Sequence, residues 1–330
     1  MPIVTLRRFG APTSVYSLLD ADTEDARAFT TYLNYWTGLA DGIQQYYGMD
    51  VHTGLLQDLR SRKDFRRLTG RGRPADLSCV GELLRNAWMS QFGLHLIDLD
   101  DATRLSVDNH DAPVKAYYAT TRVATAWLAV QNAAAPTTHR SLLNAVSTMV
   151  TGTRLLPPPW NMTCSAIKPS PTYSGFLQAP GTSSNLSPLA PAEDRIAMLL
   201  RTTRRKALEK RVADIKHHRK LTKAPKGEAE RQDAQLLATT VFDFAWRNRT
   251  RSHYGDPSMH FAGALDQYRD RAFASNIRTW TDTTMLLFEA LIAQRAKAEL
   301  REHAVFVIGR DRSGMAETLL LPRMKALGVL

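Results

Sequence analysis

Residues 155–193 constrain the fold more than any other stretch. They carry eight of the sixteen prolines, with many Ser, Thr and Asn between them. Pro157-Pro158-Pro159-Trp160 can be neither helix interior nor central strand, because proline lacks the amide donor and its ring collides with the preceding turn. On both sides of this segment apolar residues recur at three- and four-residue steps, which is helical periodicity. The chain therefore reads as two groups of helices joined by a long loop. A loop of that length in a compact protein is functional or disordered. Trp160, Tyr173 and Phe176 are the side chains able to pin it to a surface.

Upstream of the loop, residues 1–22 hold a short strand over Ile3–Leu6. Ala26 to Tyr47 is a helix, with Phe29, Leu33, Trp36 and Ala40 in step, and Val80 to Gly93 is another. Leu94 to Leu99 alternates as a short strand does. The clearest helix runs from an Asp111 N-cap to Gln131, with Pro113 in its first turn, where proline is tolerated. Thr138 caps a further helix over 139–151. Downstream, helical spacing covers Ala192 to Lys220, Phe261 to Arg278 and Thr279 to Leu300. The tail changes period: Ala304–Ile308 and Thr318–Leu321 flank a turn-like 309–314, which reads as a small C-terminal β-hairpin. Three parts follow: a mostly helical extension (1–110), a helical core (111–303) interrupted by the Pro-rich loop and a basic helix (194–231), and a tail (304–330).

The 330 residues are 44% hydrophobic and 23% charged, as in globular proteins. Net charge is +11 and the pI about 9.8, which favours a polyanionic partner such as nucleic acid. Residues 201–231 alone hold twelve Lys or Arg against four acids. Arg201, Arg204, Arg205 and Lys206 lead that stripe. It reads either as a solvated face or as a rail for a phosphodiester backbone. The basic run over 58–76 has the same two readings. Cys79 and Cys164 are far apart, which gives no disulfide framework, and no His and carboxylate cluster has metal-ligand spacing. Neither metal nor cofactor is expected. No apolar run reaches membrane-spanning length and the N-terminus is unlike a signal peptide, so no membrane contact and a cytoplasmic home are expected.

Residues 240–257 carry the chemistry. Val241, Phe242, Phe244, Ala245 and Trp246 begin a helix, and Tyr254-Gly255-Asp256-Pro257 ends it. Between them stand Arg247, Asn248, Arg251 and His253. A permanent guanidinium beside a group that titrates near neutrality suits phosphate chemistry. Six positions turn a straight helix by about 240°, so Arg247 and His253 share a face only if the last turn loosens. The alternative is a solvated arginine cap that offsets the helix dipole.

Two segments together resemble HEPN domains. Tyr117-Tyr118-Ala119-Thr120-Thr121-Arg122, followed by Thr138-His139-Arg140-Ser141-Leu142-Leu143, looks like the first helix pair of that family. Arg247-Asn248-x4-His253 looks like its Arg-x(4–6)-His motif. Here Tyr254 intervenes before the glycine, and Arg249 lies too close to His253 for the spacing. The layout is also similar, more faintly, to uncharacterised bacterial YaaC-like proteins. The resemblance implies a mainly α, HEPN-like four-helix core with the Pro-rich and basic segment as an insertion. It also implies a homodimer and metal-independent endoribonuclease activity in a toxin or phage-defence setting, with RNA as substrate and an antitoxin or defence protein as a further partner. In that scheme His253 is general base or acid, Arg247 holds the phosphate, Asn248 orients the site and Tyr254 stacks on a base. The competing reading is a non-catalytic basic helical protein that binds nucleic acid or a protein partner.

Overall fold

The computed structural model describes residues 23–68, 77–131, 136–153, 155–167, 177–178, 192–255, 258–261 and 266–330. The protein is mainly helical. Two helices of 29 residues form its spine, α5 (Ala102–Val130) and α11 (Gln267–Arg295). Around them pack α1 (Glu24–Tyr47), α4 (Leu77–His95) and α9 (Val241–Tyr254). Smaller helices fill the gaps: α2 (Val51–Ser61), α3 (Lys63–Arg66), α6 (His139–Gly152), α8 (Glu228–Gln235) and α10 (Ser258–Phe261). Among the described residues, no helix is long and apolar enough to cross a membrane.

The spine works because of its small and hydroxylated residues. On α5, Ala112, Ala116, Ala119, Ala124 and Ala126 are buried and let neighbours approach closely. Thr120, Thr121 and Thr125, with Thr281, Thr283 and Thr284 on α11, are buried too. Each threonine hydroxyl donates to the carbonyl four residues back, so none is left unsatisfied as a donor. Aromatic rings fill the space between α1, α9 and α11. Trp36 meets Phe244 at 4.9 Å and Trp280 at 5.3 Å, and Phe242 meets Phe288 at 6.0 Å. One apolar core runs from α1 to the C-terminus, and the boundary expected at 110/111 falls inside α5.

Several expected boundaries move. Helix α5 starts nine residues before Asp111, at an Asp101 cap that accepts from Thr103 N and Arg104 N at 3.1 and 3.2 Å. Pro113 therefore lies inside the helix, and burial of Leu105, Asn109 and Ala112 continues the stripe across it. Leu94 and His95 end α4 and form no strand. The two helices expected around residue 278 are one, α11, begun by the Asp266 side chain on Arg269 N at 2.7 Å. The C-terminal hairpin is absent. Residues 304–308 are the last turns of α12 (Lys297–Ile308), and a π-helical turn (Ala316–Leu320) leads into α13 (Leu321–Ala326). Leu300, Ala304 and Val307 give that segment a helical stripe. Arg323 then ties the tail to the core, pairing with Glu289 at 2.8 Å while Glu289 also accepts from Trp88 Nε1. Both side chains are almost wholly buried. The Ile3–Leu6 strand, residues 69–76 of the basic run, Tyr173 and Phe176 lie outside the described residues.

In the Pro-rich segment, Trp160 is fully buried, donates to Thr284 Oγ1 at 2.9 Å and stacks near Tyr47. Two-residue strands β1 (Met162–Thr163) and β2 (Leu177–Gln178) pair in parallel, and Cys164 bridges Thr239. The first turns of α7 (Ala192–His218) pack on α1. A Cβ added at Gly42 would stand 2.7 Å from Ile196 Cδ1, so a glycine there permits the close crossing.

His260 lies fully buried between Phe29, His110 and Phe273. Burial, with His110 and Arg251 nearby, pushes its pKa down to about 3. The unfolded chain then binds a proton that the folded chain refuses between about pH 6.5 and 3, so this residue takes stability away as pH falls through that window. Denaturant titrations should show His260→Phe losing less stability than the parent between pH 7 and pH 4. The two should converge in slope above pH 7.

Candidate nucleic-acid interface

Helix α9 enters from the core. Thr240 and Asp243 form a capping box, in which the Asp243 carboxylate accepts from Thr240 N at 2.7 Å and from its hydroxyl at 2.8 Å. Desolvation pushes the Asp243 pKa up to about 6 against those bonds. Val241, Phe242, Phe244 and Ala245 are buried and set the rotation of the helix. The helix stays regular to Tyr254, and Gly255 N bonds Arg251 O at 2.9 Å. The expected loosening of the last turn does not occur.

Arg247 and His253 are consequently not brought together. Arg247 points back at α1, with its guanidinium 5.4 Å from the Tyr32 ring and 6.0 Å from that of Tyr35. It also reaches Thr203 Oγ1 on α7 at 3.4 Å. His253 is exposed on another side. Asn248 is fully buried and accepts from Trp36 Nε1 at 3.2 Å, so it holds α9 to α1 and orients neither partner of the expected pair. Arg251 is exposed.

The arginine that shares a face with His253 is Arg249, one turn earlier. Trp246, Arg249 and His253 follow a three- and four-residue step. Arg249 is 4% exposed, and three rings surround its guanidinium: Tyr254 at 4.9 Å, Trp246 at 5.1 Å and Tyr118 at 5.5 Å. Its Nη2 donates to Tyr118 Oη at 2.8 Å, whereas its buried Nε meets no acceptor among the described residues. Burial opposes the Arg249 charge, but bonds to the Tyr254 and Tyr118 phenols outweigh it, and the pKa lies above the ordinary value. Arg122 adds a second cation over the Tyr118 ring at 5.6 Å.

His139 completes the cluster. It is the first residue of α6, fixed there by the Thr138–Ser141 capping box. Its ring lies 4.3 Å from that of Trp246, tilted by 30°. Its Nδ1 is 2.8 Å from the hydroxyl of buried Tyr117. Desolvation holds the Tyr117 phenol well above its ordinary range, so it keeps its proton beside the imidazole. Desolvation, with Arg249 and Arg122 close by, lowers the His139 pKa, so the imidazole is neutral near pH 7. Tyr254, 70% exposed, closes the row, with the His253 ring edge-on to it at 4.7 Å. Two imidazoles, two guanidiniums and three aromatic rings thus form one continuous face on α5, α6 and α9.

Sequence reasoning missed Arg249, His139, Arg122 and Tyr118 as site residues, yet the signals were present. Tyr117-Tyr118 and Thr138-His139 are the residues that carry the family resemblance. The i, i+3, i+7 spacing of Trp246, Arg249 and His253 marks their common side.

The basic helix divides in two. Arg205 and Lys206 are exposed, and Lys206 pairs with Glu209 at 2.9 Å. Arg201 is half-buried and donates to Ile167 O at 2.9 Å. Arg204 is fully buried, and a phosphate-binding role for it is excluded by its geometry. Nε bonds Asp233 Oδ1, Nη1 bonds the Cys164 and Leu237 carbonyls, and Nη2 bonds those of Asp233 and Leu236. All five N–H groups are used. Leu200, Arg204 and Leu208, at four-residue steps, share one buried side, which explains why the guanidinium faces inward. Among the described residues no three His, Cys, Asp or Glu gather as a metal-ligand set.

No family model matches the chain, and neither a curated protein nor a solved structure does. The class defined by fold and site is a mainly helical protein with a cation-and-aromatic face.

Two outcomes check this geometry. In an NMR pH titration His139 should titrate below the ordinary histidine value of about 6.5 and move upward in Arg249→Gln. Arg204→Met should cost about 3–5 kcal/mol in urea denaturation, because Asp233 loses its partner and the carbonyls of 164 and 236–237 lose their donor.

Proposed function

We propose that the protein binds RNA along the α5–α6–α9 face and cleaves it without a metal ion, by attack of a ribose 2′-hydroxyl. The observation that carries the reading is Arg249, walled by Tyr118, Trp246 and Tyr254, with His139 stacked beside it. Bases stack on Tyr254, which is exposed, and this contact is sequence-tolerant because every base has a π-face. Arg249 and Arg122 hold the scissile phosphate and stabilise the charge that develops on it. His139 lies beside them against the Trp246 ring. His253 takes the proton from the 2′-hydroxyl, whose oxygen bonds to phosphorus as the bond to the 5′-oxygen breaks; that oxygen leaves with a proton from water, giving a 2′,3′-cyclic phosphate and a 5′-hydroxyl end. Relative to the family motif, Arg249 replaces Arg247 as the phosphate cation. Arg205 and Lys206 extend the positive surface. In line with the resemblance, the setting is a cytoplasmic homodimer of toxin or phage-defence type, held in check by a protein partner.

The second reading is non-catalytic RNA binding by the same face. It is favoured by the regular last turn of α9, which leaves Arg247 against α1 and His253 exposed elsewhere on the helix.

Cleavage of a labelled RNA in EDTA separates the two. The catalytic reading expects 2′,3′-cyclic ends and a loss of about 10²-fold or more in His253→Ala, with salt-sensitive binding kept. Arg249→Gln should weaken binding and cleavage together. Intact RNA at high protein concentration, with binding that tracks Arg249, leaves only the second reading. Binding unmoved by Arg249→Gln or Tyr254→Ala rejects both.

A further inference from the structure

A cavity of about 300 Å³ opens where α2, α3, α11 and the start of α12 meet the last residues of the chain. It shares no residue with the face on α5, α6 and α9. Its floor is apolar, made by Leu56, Phe65, Ala293 and Leu327, and Gln294 contributes one amide. Arg60, Arg66 and Lys297 stand around it, and among the described residues no acidic side chain lines it. The whole chain has 32 acids to 43 Lys and Arg, so three cations with no acid is a local excess. Arg60 is fixed at the mouth, because its Nη2 donates to Ala326 O at 3.1 Å and so bridges α2 to the C-terminal segment. Lys297, the first residue of α12, makes no hydrogen bond or ion pair among the described residues, and its ammonium lies 4.0 Å from a Cβ built on Gly328.

We propose that this cavity binds a small organic phosphate of mononucleotide size. Three converging cations match a phosphate monoester, which carries about −1.5 to −2 charges near pH 7, better than a single carboxylate. The apolar floor takes the ring, and the Gln294 amide offers the donor and acceptor that a heterocycle edge requires. A volume near the lower end for ligand sites, about 300–1,000 Å³, admits one nucleotide and no strand of RNA.

Calorimetric titration of the full-length protein with AMP, adenosine and inorganic phosphate tests the assignment. AMP should bind at least tenfold more tightly than adenosine or phosphate, and its affinity should fall with added salt. Lys297→Glu, a change at an exposed position, should weaken AMP at least tenfold with an unchanged circular-dichroism spectrum, and Arg60→Glu should do the same. Tyr254→Ala should leave AMP binding as it was. The proposal is overturned if AMP does not bind at millimolar concentration, or if Lys297→Glu binds it as the parent does. It is equally overturned if Tyr254→Ala abolishes binding, because the nucleotide then sits on the other face.

Discussion

Everything in the candidate site depends on how the first half of α9 is gripped. Phe242 and Phe244 sit among Trp36, Trp280 and Phe288, and Asn248 accepts from the Trp36 indole. Burying two phenylalanines contributes on the order of 3–6 kcal/mol, enough to forbid a rotation of the helix that would expose them. Once that rotation is fixed, each later residue has its direction assigned. Arg247 turns toward α1, Asn248 toward the core, and Arg249 and His253 toward α5 and α6. The chemistry of the surface is thus a consequence of the packing beneath it.

The cluster itself is an electrostatic balance. A guanidinium that is 4% exposed needs neutral donors of electron density around it, and three aromatic faces and a phenol supply them. The same guanidinium, with Arg122, depresses the affinity of His139 for a proton. The charge over Trp246 and the neutral imidazole against it are linked properties. Tyr117 adds the last constraint by holding the Nδ1 edge of that ring at 2.8 Å.

Much of the fold was legible. The stripes of α1, α6 and α7 and the Thr138 cap appear where periodicity and capping chemistry put them, since local rules and tertiary packing agree there. The misses have physical causes. Pro113 was read as a first-turn residue, but packing on both sides of it holds one helix through the missing donor. The β-branched run at 305–308 suggested a strand, and a sequence reading could not foresee that Arg323 would pair with Glu289 and hold the tail as helices. At the candidate site the sequence shows the helix and its cations, but not which of them share a side with His253. Choosing between Arg247 and Arg249 required knowing that α9 stays regular to its end, which is decided by contacts and not by the Gly-Asp-Pro that follows. Arg204 shows the opposite failure: a cation inside an apolar stripe was counted with its charged neighbours.

That arginine also governs how the surrounding segments come together. Its five donors reach acceptors at Cys164, Asp233, Leu236 and Leu237, which approach α7 from two separate stretches of chain. If either stretch is away, a buried cation is left short of acceptors. Partial docking is therefore worse than none, and the segments should assemble around the guanidinium in a single cooperative step. A lysine has only three hydrogens on one nitrogen and cannot serve as the same hub.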